Sequence, residues 1–169
     1  MVSLKLIRLD HTADNESLIQ GLLENAPSYC LTVSGEIAGL KAGTEVFDAL
    51  PPSFSIEDKH VIGIFSENIL IGIIDCLIGF PTKDIAHIGL LLLDENYQSQ
   101  GLGRQAYVNL EGYLRKFPSI SKIRLAVVTT NNKVLKYWEK MGFYITGEVK
   151  PYSNKLINSE AFIMEKELD

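Results

Sequence analysis

Two glycines, Gly101 and Gly103, stand where an apolar run gives way to a helix-spaced one, within Gln98-Ser99-Gln100-Gly101-Leu102-Gly103-Arg104. The first four N–H groups of a helix have no intrahelical partner, and the helix dipole adds partial positive charge there. Glycines lack a Cβ, so a large anion can come up to those amides. The pattern points to a phosphate-bearing ligand; the plainer alternative is that the glycines serve the turn alone. Two common phosphate motifs do not fit. A P-loop needs Lys-Ser or Lys-Thr after its last glycine, and Arg104-Gln105 stands there. The dinucleotide fingerprint needs a third glycine, and its first place falls on Gln98 or Ser99.

A strand must deliver the chain to this turn and a helix must leave it. Ile85 to Leu93 is apolar throughout and long enough for one buried strand, followed by a polar turn from Asp94 to Gln100. Leu102, Ala106, Leu110 and Leu114 then recur at helical spacing, and Phe117 closes the stripe before Pro118. Ile123, Leu125 and Val127 alternate with Arg124, Ala126 and Val128 as a fifth strand. Asn131 or Asn132 can cap the next helix, whose buried stripe is Val134, Leu135, Trp138 and Met141, with Gly142 at the position of a left-handed cap.

The segment from Gln98 to Gly103 resembles the Gln/Arg-x-x-Gly-x-Gly/Ala signature of the GNAT superfamily, the acyl-CoA-dependent N-acyltransferases. A second block of that family, an Asn at the end of strand five leading to a helix that closes with Gly-Phe, is matched by Asn131 and Gly142-Phe143. The two blocks cover about Ile85 to Phe143. The resemblance implies that the pyrophosphate of acetyl-CoA sits on the amides of Gln98, Ser99, Gln100, Gly101, Leu102, Gly103 and Arg104, with the Arg104 side chain adding charge pairing. It implies a pantetheine arm lying beside strand four like an added strand, along the backbone of Leu91, Leu92 and Leu93, where strands four and five splay. Asn131 would bond the arm from the other wall, act as a helix cap, or do both. A backbone N–H at Leu93 would receive the oxyanion.

The sequence departs from the family at one place. A Tyr often precedes the Glu of the last helix there as the general acid, and Trp138 occupies that position. An indole N–H does not usefully protonate a thiolate, so Trp138 is expected in the core or the thioester pocket. Tyr137 lies about 100° away around the helix and is not expected to substitute. Tyr29, Tyr144 and Tyr152 remain candidate acids. His87 on strand four is the first candidate base, because imidazole titrates near neutrality; His60 and Asp75 follow. In the region that shapes the family's acceptor pocket, Tyr29, Glu36, Glu45 and Asp48 are candidate contacts, although the acids also read as a solvated face.

Bulk properties narrow the alternatives. A chain of 169 residues suits one domain, residues 1–169, and 22% charged with 46% hydrophobic residues argues against disorder. The net charge of −5 disfavours nucleic-acid binding and mildly favours a cationic acceptor. Cys30 and Cys76 suggest neither a disulfide framework nor a metal site and suit a reducing cytoplasm. No signal peptide or membrane-length apolar run is read, so a cytoplasmic location is expected.

The remaining elements complete the expected fold. Val2 to Leu9 reads as an edge-like strand, and Thr12 or Asp14 caps a helix ended by Pro27. Ser28 to Ser55 reads as irregular, with a short helix from Thr44 to Leu50. His60 to Phe65 pairs with Ile69 to Leu77, and Phe143 to Lys150 pairs with Ser159 to Leu168. The fold class is therefore α/β: a single mixed, mostly antiparallel seven-stranded sheet with helices on both faces, strands four and five parallel and splayed. The expected activity is acetyl transfer from acetyl-CoA to a primary amine of a small molecule or peptide, without metal, and with homodimerisation through the terminal strands open. The alternative is a CoA-binding sensor or regulatory module with little turnover, favoured by Trp138.

Overall fold

The computed structural model describes residues 2–169. Seven strands form one sheet: β1 (Leu4–Arg8), β2 (Lys59–Ser66), β3 (Ile69–Ile78), β4 (Ile85–Leu93), β5 (Lys122–Val128), β6 (Tyr144–Asn154) and β7 (Ile157–Glu167). Their order is β1-β2-β3-β4-β5-β7-β6, and every neighbouring pair is antiparallel except β4 and β5. The expected mixed sheet is thus present.

The helices cover both faces. On one side α4 (Leu102–Leu114) and α5 (Leu135–Lys140) enclose a core that includes Ile74, Ile88, Leu110, Ile123 and Trp138. On the other, α1 (Ala13–Glu24), α2 (Pro27–Ser34) and α3 (Ala42–Asp48) cover Val61, Ile73 and Leu92 with Ile19, Leu22 and Phe47. Thr12 caps α1, its Oγ1 accepting from the N–H of Asn15 at 3.2 Å.

Three local expectations are corrected. Pro27 does not merely follow a helix; it opens α2 from the N1 position, where its missing N–H costs nothing. The segment after it, read as irregular, is therefore helical to Ser34. Neither Asn131 nor Asn132 caps α5. Asn131 sits in a 3₁₀ turn with φ −115° and ψ 33°, and α5 begins at Leu135 without a side-chain cap.

The feature that shapes the site is a bulge. Asp75 of β3 pairs with Leu90 and Cys76 pairs with Ile88, so Gly89 is an extra residue in β4. Bulges increase local twist and redirect a strand. The parallel ladder to β5 runs from Ile85↔Lys122 to Ile88↔Leu125 and stops there, although β4 continues to Leu93 and β5 to Val128. The two strands diverge from the bulge onward. Among the described residues no helix is long and apolar enough to cross a membrane.

Candidate active site

The divergence opens a cleft of about 710 Å³ between the C-terminal halves of β4 and β5. One wall is the unpaired edge of β4. Asp94 donates its N–H to Ile71 of β3 at 2.8 Å, and in an antiparallel ladder alternate residues turn their groups the opposite way. The N–H and C=O groups of Leu93 and Leu91 therefore face away from β3, into the gap. Leu92, one step out of phase, faces β3 and packs its side chain in the α1–α3 core. The Leu93 carbonyl accepts from Gln98 Nε2 at 2.9 Å.

At the end of this wall the chain turns through Ser99 (φ 61°) and Gly101 (φ 79°) into α4. Positive φ at Gly101 is backbone that only glycine adopts freely. Gln98 donates its N–H to Glu95 at 3.4 Å, whereas those of Ser99, Gln100, Gly101, Leu102, Gly103 and Arg104 have no protein acceptor among the described residues. Six consecutive free donors at a helix N-terminus form a concave positive site. Ser99, Gly101, Gly103 and Arg104 line the cleft, while the Leu102 side chain is buried in the core beneath and the Gln100 side chain turns back to the Asn96 carbonyl at 3.0 Å.

The facing wall comes from the segment after β5. Asn131, Lys133, Val134, Tyr137, Trp138 and Lys140 line it. Trp138 is 8% exposed and packs edge-on against Tyr107 and Phe143, with ring centroids 5.8 and 5.2 Å away. Tyr137 also reaches the cleft, at the glycine turn. Its hydroxyl lies 3.4 Å from the position a Cβ on Gly103 would take, buried and without a hydrogen-bond partner. Burial pushes its pKa up to about 12, so it stays protonated. Spacing alone does not reveal that Tyr137 and Trp138 both reach the cleft. Lys133 and Lys140 escape sequence reasoning as well; nothing distinguishes them from solvated helix lysines until the cleft is drawn.

On the sheet's other face the cleft continues under α2, lined by Tyr29, Thr32, Val33, His87, Ala126 and Tyr152. The last carbonyls of α2 are taken by other elements: Tyr152 Oη donates to Val33 at 2.7 Å, Thr130 Oγ1 to Thr32 at 2.9 Å, and the Leu156 N–H to Ser34 at 3.0 Å. These bonds hold α2 as a roof. Burial pushes the Tyr29 hydroxyl above its ordinary range. His87 lies edge-on to Phe80 at 5.6 Å, and its buried Nδ1 has no partner. Burial first, then Arg124 and Lys150, lower its pKa to about 4, so the ring is neutral at pH 7.

The other candidates lie apart from the cleft. His60 bonds Tyr113 Oη at 2.5 Å and packs against Phe117. Asp75 sits behind Gly89, both carboxylate oxygens accepting from the buried Lys59 ammonium at 2.8 Å. Tyr144 is exposed on β6. Glu36 approaches Lys155 at 3.9 Å outside the cleft, and the exposed Glu45 and Asp48 do not line it either.

Known proteins resemble this chain in sequence family and in fold. The sequence model of the acetyltransferase (GNAT) family matches residues 35–143. No curated protein sequence matches the chain. Among solved structures, an acetyltransferase from Thermus thermophilus superposes with a TM-score of 0.76 at 20% identity, covering 99% of this chain and 98% of that one. Spermidine N-acetyltransferase from Vibrio cholerae, in complex with CoA and spermine, gives 0.69 at 16% identity over 98% and 95% of the two chains. The PaiA N-acetyltransferase from Thermoplasma acidophilum, in complex with coenzyme A, gives 0.66 at 20% identity over 98% and 99%. At such identities these likenesses speak to the fold, and the family match, which spans more than half of the sequence, carries the assignment. The chain belongs to the acetyltransferase (GNAT) family.

Proposed function

We propose that the protein is an acetyl-CoA-dependent N-acetyltransferase that moves an acetyl group to a primary amine by direct attack on the thioester. The observation that carries this reading is the conjunction, in one cleft, of six unpaired N–H groups from Ser99 to Arg104 with the unpaired edge of β4. The first suits a diphosphate and the second suits the amide-rich pantetheine arm. Arg104, Lys133 and Lys140 at the mouth add positive charge for the phosphates. The Asn131 side chain faces the arm from the opposite wall, and the Tyr137 hydroxyl supplies a further donor near the turn. Trp138 flanks the thioester pocket through its ring.

In the reaction the amine nitrogen forms a bond to the thioester carbonyl carbon, the C–S bond breaks, and the amine loses a proton. The negative charge that develops on the carbonyl oxygen falls at the N–H of Leu93 or Leu91, both directed into the gap. His87, neutral at pH 7 with a free Nδ1, accepts the amine proton directly or through water. Its weak basicity limits it to relaying that proton onward. The thiolate takes a proton from solvent or from the Tyr29 hydroxyl, which lines the cleft; the Tyr152 hydroxyl is committed to the Val33 carbonyl.

The reading is tested by calorimetry with CoA together with thiol release from acetyl-CoA across a panel of amines. Micromolar CoA binding with amine-dependent thiol release is expected. Binding without release on any amine would favour a CoA-binding regulatory module, the reading that Trp138 in place of the family's Tyr supports.

A further inference from the structure

We infer that the acceptor is a weakly basic α-amino compound with an apolar body, and not a polyamine or the ε-amino group of lysine. This rests on the transferase reading and narrows the substrate of the same site. The acceptor must approach the gap between β4 and β5 from the face opposite the CoA wall, under α2. That half of the cleft is walled by Tyr29, Val33, Leu90, Ala126, Val128 and Tyr152. With Thr32 and His87 included, it presents mostly apolar surface, two phenols, one aliphatic hydroxyl and one neutral imidazole, and no anion among the described residues.

No aspartate or glutamate side chain lines the cleft among the described residues; its charged groups are Arg104, Lys133 and Lys140. The acids that would hold a second ammonium group lie elsewhere, Glu36 beside Lys155 and Asp48 on α3 near His11. Asp75 comes nearest, its Oδ2 3.3 Å from where a Cβ on Gly89 would stand, but the Lys59 ammonium neutralises it through both oxygens. Around His87, Arg124 is paired with Glu165 at 3.3 Å and Glu148 at 3.2 Å, and Lys150 with Glu148 at 3.4 Å. The same surroundings that keep His87 unprotonated disfavour an ammonium ion beside it. A site without a strong base selects for amines that are neutral already. At pH 7 a lysine-type amine of pKa about 10.4 is neutral in about 1 molecule in 2,500, and an α-amino group of pKa about 7.8 in about 1 in 7.

The test compares three acceptors at saturating acetyl-CoA and pH 7 with the full chain: leucinamide, spermidine and Nα-acetyl-lysinamide. Leucinamide is expected to give a kcat/KM at least tenfold above the other two. Spermidine or acetyl-lysinamide matching or exceeding it overturns the inference and leaves acetyl transfer standing. Thiol release with none of the three overturns this inference; the transferase reading falls with it only when the whole amine panel also gives none while CoA still binds by calorimetry. Ala126→Glu, which places a carboxylate in the acceptor wall, is expected to raise the spermidine-to-leucinamide ratio at least fivefold. An unchanged ratio contradicts the placement of the acceptor under α2.

Discussion

Tyr137 and Trp138, neighbours in α5, meet the cleft in different ways. Directly before Glu139, Trp138 occupies the position where the family resemblance places an acid, and Tyr137 lies about 100° away around the helix. In the folded chain the indole is pinned between Tyr107 and Phe143, and the phenol reaches the glycine turn with its hydroxyl unpaired. A buried hydroxyl without a partner is unfavourable until a ligand oxygen meets it. Tyr137→Phe is accordingly expected to raise the CoA Kd about fivefold, roughly 1 kcal/mol, without lowering the melting temperature. Unchanged affinity would remove the hydroxyl from the ligand's surroundings. His60 and His87 are both held near pKa 4 by burial, against 6.5 when unfolded. Both are therefore neutral in the native state where the unfolded chain binds protons. Their stabilisation is complete above pH 6.5 and is lost as pH falls toward 4, at up to about 1.4 kcal/mol per pH unit for each ring. Chemical denaturation between pH 7 and 4.5 should show this slope, and His60→Gln should roughly halve it; an unaltered slope would rule His60 out. For His87→Ala we expect kcat for acetyl transfer to fall about tenfold or more at pH 7 with CoA affinity preserved, measured by thiol release beside calorimetry.

At the scale of elements, the strand–turn–helix unit from Ile85 to Leu114 is legible in the sequence because each part carries a local signal: an unbroken apolar run, a polar turn with glycines, and a 3.6-residue stripe. Its strand boundaries coincide with those of β4. The bulge at Gly89 is not legible, since a glycine inside an apolar run reads equally as plain strand. It is nonetheless what ends the parallel ladder and opens the cleft. Pro27 misleads for a related reason: proline ends one helix and begins another with equal ease, and only the α2 carbonyl bonds to the β6–β7 hairpin decide between them. Two substitutions test these elements. Gly101→Ala meets no atom within 4 Å at a φ of 79°, so its cost is backbone strain alone, about 1 kcal/mol of stability by denaturant unfolding, with weakened CoA binding as the turn relaxes. Tyr152→Phe leaves the Val33 carbonyl short of a donor and should cost about 1 kcal/mol and raise the acceptor KM, with CoA affinity little changed.

Across the whole molecule, the sheet separates two kinds of surface. The α4–α5 face and the edge of β4 present donors and positive charge, and the α1–α3 face presents a mostly apolar lining, free of anions among the described residues and roofed by α2; the divergence of β4 and β5 joins them. The topology is readable from element order, because alternating runs and one helical crossover leave few arrangements. The lining of the cleft under α2 is only partly readable: of the residues singled out there from sequence, Tyr29 lines it, whereas Glu36, Glu45 and Asp48 do not, in keeping with their other reading as a solvated face. The measurement that bears most directly on the account is a crystal structure of the protein with CoA. The account predicts pyrophosphate oxygens within hydrogen-bond distance of the N–H groups between Ser99 and Arg104, and pantetheine amides paired with Leu91 and Leu93. CoA bound with its pyrophosphate away from that turn, or its arm outside the gap between β4 and β5, would contradict it.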